Sequence, residues 1–102
     1  MAEGVRSQQI KRQAVGAAWC MVQQGCKRKR AEELIADALV QARIRRTCKG
    51  STIKNWIDAT EFSEREALAS EVAATMEHEP REKWIELIPR FLTMALARSF
   101  TS

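Results

Sequence analysis

The chain has no tyrosine, one histidine, two prolines, four glycines and three cysteines in 102 residues. Without tyrosine, and with valine and threonine sparse, nothing carries the two-residue alternation of a half-buried strand. The few glycines and prolines leave no flexible linker, repeat or low-complexity tract. Cys20, Cys26 and Cys48 are odd in number and scattered, so they make no disulfide framework and read as reduced thiols. The Cys20–Cys26 spacing is wider than the pairs that hold zinc, and His78 lies far along the chain, so neither a metal nor a cofactor is expected. His78 also has no nucleophile beside it, and there is no glycine-rich phosphate loop or His cluster, so no enzymatic activity is expected. No apolar run approaches the roughly 18 residues of a membrane span, and the start MAEGVRSQQIKRQ has no secretory apolar core. The expectation is a cytoplasmic protein with no membrane contact and no small-molecule ligand.

What is present is globular. Hydrophobic residues are 45% and charged residues 29% of the chain, enough apolar content for one core, and the length suits a single domain over residues 1–102. Apolar residues recur at helical intervals from Ile10 to Val22, ahead of Gly25 at a helix C-terminus. A second helix is predicted over Arg30–Ala42, with Leu34, Ile35, Ala38 and Leu39 on one face. Ser51 is an expected N-cap for a short third helix carrying Ile53, Trp56 and Ile57. Ser63 with Glu66 forms a capping-box pattern for a fourth, with Phe62 as its hydrophobic staple. Pro80 suits the first turn of a last helix, and Pro89 inside that helix should kink or divide it. The fold class that follows is all-α, a compact bundle of about five helices.

Charge is unevenly spread. Residues 1–57 hold twelve Lys/Arg against four Asp/Glu, net +8, whereas residues 58–102 hold five against nine, net −4. The chain thus divides into a basic half, about 1–59, and an acidic, apolar half, about 60–102. A split of this kind suggests that one half faces a polyanion. Two basic clusters stand out. Lys27, Arg28, Lys29 and Arg30 lie at the turn before the second helix, and Arg43, Arg45, Arg46 and Lys49 lie in the connector after it. At 1.5 Å per residue they sit roughly 20 Å apart along that helix, a span able to grip backbone phosphates on both sides of a groove.

The stretch Glu33-Leu-Ile-Ala-Asp-Ala-Leu39 through Gly50-Ser-Thr-Ile-Lys-Asn-Trp-Ile57 resembles a helix-turn-helix DNA-binding unit. In such units an Ala/Leu-rich helix packs across a second one with a Ser/Thr-rich start. The likeness covers about 25 of the 102 residues, and the family's tight turn is replaced by the longer connector Arg43–Gly50. The resemblance implies a small transcriptional regulator, of the compact kind found on phages and plasmids, that binds double-stranded DNA. Ser51, Thr52, Lys54 and Asn55 would then meet the major groove, where Lys pairs with guanine and Asn with adenine.

Two other readings stay open on the residues alone. One is a helical adaptor or inhibitor whose basic face docks on an acidic protein. The other is a nucleoprotein assembly subunit without sequence preference. The tryptophans lie among apolar residues, which disfavours the exposed stacking platforms of single-strand binders. On the last helix Trp84, Ile88, Phe91 and Leu92 belong to a face that is apolar nearly all round. A homodimer is the expected cover for it, pairing two recognition helices on a pseudo-palindromic site.

Overall fold

A computed structural model describes the backbone of residues 2–100 and the side chains of residues 6–98. Five α-helices and one 3₁₀ turn make up the described chain: α1 Ala2–Gln23, α2 Arg28–Gln41, α3 Gly50–Asp58, α4 Phe62–Thr75 and α5 Trp84–Phe100, the last preceded by the turn Arg81–Lys83. No strand occurs among the described residues. The architecture is the expected all-α bundle.

α1 is the axis of the bundle and packs against each of the other four helices. Its sequence explains why. Ile10, Ala14, Val15, Ala17, Ala18, Cys20 and Met21 are all buried. Most are small, so neighbouring helices approach closely on several sides. The nearest is α4, where a Cβ on Gly16 would stand 2.9 Å from the Leu68 carbonyl oxygen. A polar seam borders that contact: Arg12 pairs with Glu64 at 3.0 Å, and the Trp19 indole donates to Glu66 at 2.9 Å. α2 lies elsewhere on α1, α3 packs across α2 and touches α1, and α5 fills between α2 and α1. Ile35, Leu39, Ile53, Ile57, Leu68, Met76, Ile88 and Leu96 join the α1 residues in one core.

The helix ends follow from local hydrogen bonding. Gly25, at φ +98, closes α1, its N–H donating to Val22 while that of Cys26 donates to Met21. This doubly bonded left-handed cap satisfies carbonyls that the helix leaves open. α2 ends the same way without a glycine. Arg43 takes φ +61 and donates to Val40 while Ile44 donates to Leu39.

Several starts differ from the sequence reading. α2 begins at Arg28, so part of the basic run is helical. α3 starts at Gly50 with Lys49 as N-cap, and Ser51 lies inside the helix. α4 starts at Phe62 with Glu61 as N-cap, so the Ser63 capping box does not form. Glu66 instead accepts from Trp19 and Gln23, a tertiary use that outweighs a local cap. Phe62, 62% exposed, stands edge-on to Trp19 with ring centroids 5.9 Å apart. Pro89 does not divide α5, which runs through it as one helix.

Candidate nucleic-acid interface

α3 buries one side and exposes the other. Ile53 and Ile57, one turn apart, are wholly buried against α2 and α1. Ser51, Lys54, Asn55 and Asp58 are exposed, while Thr52 and Trp56 are half-buried along one edge. Among the described residues no helix covers the outward face. The side chains that the helix-turn-helix resemblance singled out therefore all reach the surface or its edge.

The two flanks of α3 differ in charge. On the first, Arg28, Lys29, Glu32 and Glu33 of α2 line a shallow groove with Gly50, Ser51 and Lys54. Glu32 is the one buried charged side chain among the described residues, and Arg28 donates to it at 2.9 Å. Arg28 also bonds Asp58, to which Lys54 donates at 2.8 Å. Hydrogen bonds from Lys54 and Arg28 stabilise the Asp58 carboxylate and hold it at about 2, below the ordinary 3.8. Two cations of this flank are thus already matched by acids.

The second flank has no such match. Trp56 turns its ring toward two cations from different elements. The Lys11 ammonium of α1 lies 5.8 Å and the Arg45 guanidinium of the connector 5.9 Å from the ring centroid. Neither makes an ion pair among the described residues. Lys11 was not singled out by its sequence context. Its helical period places it on α1, but which neighbour it faces depends on where α3 packs.

The remaining basic residues divide. Lys27 is the exposed N-cap of α2, and Lys49 is the exposed N-cap of α3. Arg43 closes α2, and Arg46 is exposed in the connector. Arg30 is set apart. It lines a groove between α2 and α5 with Leu34, Asp37, Glu82, Ile85 and Arg90. The Lys27–Arg30 run is therefore not one patch, because successive residues of a helix point about 100° apart.

The residues expected to form a dimer contact lie mostly inside the chain's own core. Trp84, Ile88 and Leu92 are 3%, 1% and 7% exposed. They pack with the α1 and α2 residues of the core, and the Trp84 indole donates to the Glu79 carbonyl at 2.9 Å. These three leave a partner subunit nothing to cover. Phe91 is half-buried and borders a groove among α1, α4 and α5, where Val72, Met76 and Ala95 lie beside the polar Gln13 and Glu71.

Burial pushes the Cys20 and Cys48 thiols up from their ordinary range, against an opposing pull from Arg81 and Arg45 respectively. All three cysteines are free. Among the described residues no group of His, Cys, Asp and Glu gathers to hold a metal, and no helix is long and apolar enough to cross a membrane. Comparison with known family models, with curated proteins and with solved structures matches none of them.

Proposed function

We propose that the protein binds duplex DNA, with the outward face of α3 set into the major groove, and acts as a small regulator of transcription. The observation that carries this reading is the setting of α3. Its exposed Ser51, Lys54 and Asn55 are bordered by cations from three separate elements: Lys11 of α1, Lys29 of α2 and Arg45 of the connector. The helix is held from behind by Ile53 and Ile57, as a recognition element must be if its side chains are to keep a fixed register. Lys49 at its N-terminus adds charge where backbone N–H groups favour phosphate. In this reading Asn55 addresses base edges, Lys54 does so with the ammonium donors that Asp58 leaves open, and the flanking cations address the sugar–phosphate chain. A single protomer suffices for it.

Binding of a fluorescent duplex over a range of salt tests the reading. If about six phosphates are engaged, log affinity falls against log salt with a slope of roughly −5. A slope near zero overturns the reading. Arg45→Glu with Arg46→Glu abolishes duplex binding, whereas an adaptor that docks its basic face on an acidic protein would have no duplex binding for the change to remove. Lys54→Ala with Asn55→Ala relaxes sequence preference, a change that a coat protein without base contacts would not show.

A further inference from the structure

The contrast between the flanks of α3 assigns a role to Lys11, outside the helix-turn-helix resemblance, together with Arg45 and Trp56. We propose that Lys11 and Arg45, held on the ring of Trp56, form a seat for the sugar–phosphate backbone of a duplex on the α1 side of α3. The proposal rests on the duplex-binding reading above and names where that duplex is gripped.

Both cations lie just under 6 Å from one ring centroid. The indole thus gathers one charge from α1 and one from the connector beside α3. The negative face of the indole attracts each of them but supplies no net charge. No carboxylate pairs with either among the described residues. On the opposite flank the equivalent problem is already solved within the chain. Arg28 and Lys54 converge on Asp58, and Arg28 also pairs with Glu32, so two acids balance the two cations. Where two cations meet without an internal anion, an external one is stabilised most. Backbone phosphates have the charge for it, and their oxygens accept from an ammonium or a guanidinium.

The ring also decides which part of a nucleic acid is met. Trp56 is half-buried and occupied by cations, so it offers poor stacking for an unpaired base. Its service is to favour a position beside α3 for Arg45, which belongs to no helix. Pre-ordering of this kind reduces the entropy lost when the contact forms.

The test uses the full chain and a duplex of mixed sequence. Dissociation constants are measured across salt for the wild type, Lys11→Ala, Lys11→Arg and Lys83→Ala, the last an exposed cation of the acidic half. Lys11 is exposed, so its replacement leaves the core intact. Lys11→Ala is expected to weaken binding several-fold and bring the salt slope about 0.9 closer to zero, the loss of one phosphate contact. Lys11→Arg restores the slope, and Lys83→Ala matches the wild type. A second measurement follows the three indole N–H resonances during titration. The Trp56 signal moves, while those of Trp19 and Trp84, tied to Glu66 and Glu79, stay in place. If the wild type binds but Lys11→Ala behaves like Lys83→Ala and the Trp56 signal is still, the phosphate seat is refuted and the α3 reading survives. If the wild type fails to bind duplex at all, both fall.

Discussion

Gly16 sits where α1 and α4 come closest, and its replacement by alanine weighs two opposed effects against each other. Alanine is favoured over glycine in a helix interior by about 1 kcal/mol. Against this, the new methyl carbon would lie 2.9 Å from the Leu68 carbonyl oxygen and 3.1 Å from Leu68 Cβ. A backbone oxygen cannot rotate out of the way as a side chain does, so the helices must part. α4 packs chiefly on α1, and parting them loosens Ala17, Leu68 and Ala69 together. Forced overpacking of a core contact costs roughly 1–3 kcal/mol. A clash with backbone belongs in the upper part of that range, about 2–3 kcal/mol, so after the helix-propensity gain a net loss of about 1–2 kcal/mol remains. For a domain of this size that lowers Tm by roughly 5–15 °C. Thermal unfolding followed by far-UV circular dichroism reads the change. Gly50→Ala is the matched control. Its Cβ would meet the flexible Glu33 side chain at 3.1 Å, which can swing aside, so stability should stay within about 0.5 kcal/mol. A Gly16→Ala protein as stable as the wild type would refute the close approach of α1 and α4.

Three further outcomes are expected. Arg43→Gly relieves a side chain held at φ +61 and should raise stability by about 1 kcal/mol in urea unfolding at high salt, where the lost charge matters least. Arg28→Ala deprives the buried Glu32 carboxylate of its donor and should cost about 1–3 kcal/mol, nearer the lower figure because Arg28 is partly solvated. Adding Glu32→Leu should recover much of that loss in the same unfolding assay. Asp58 titrates at about 2 in the folded chain against 3.8 ordinarily, so its stabilising contribution is complete above roughly pH 4 and is lost as pH falls toward 2. Asp58→Asn should flatten the acid side of the stability profile within that window. An unchanged acid limb would show that Asp58 is not paired as described.

Element type was legible because it depends on periodicity and local chemistry. The apolar spacing of Ile10–Val22, of Leu34–Leu39 and of Ile53–Ile57 each marks a helix whatever the rest of the chain does. Gly25 marks a helix end because a left-handed residue is needed there. Arg43 fills the same role with no glycine to announce it, so that cap was invisible. Glu66 carried the signature of a local cap, yet it is spent on Trp19 and Gln23 of another helix.

The amino-acid order alone settles the all-helical class, the exclusion of strands and the gathering of positive charge in the first half, since each depends on residues near one another in the chain. It also put Ser51, Lys54 and Asn55 on the open side of a short helix, which follows from Ile53 and Ile57 claiming the other side. Tertiary packing decided the rest. It enclosed Trp84, Ile88 and Leu92 within the protomer and turned Arg30 toward α5. It matched Arg28 and Lys54 with Asp58, and brought Lys11 to the ring that Arg45 also meets. The direction a helical side chain points is local, but what it meets depends on how whole helices are rotated and docked, which the core as a whole determines.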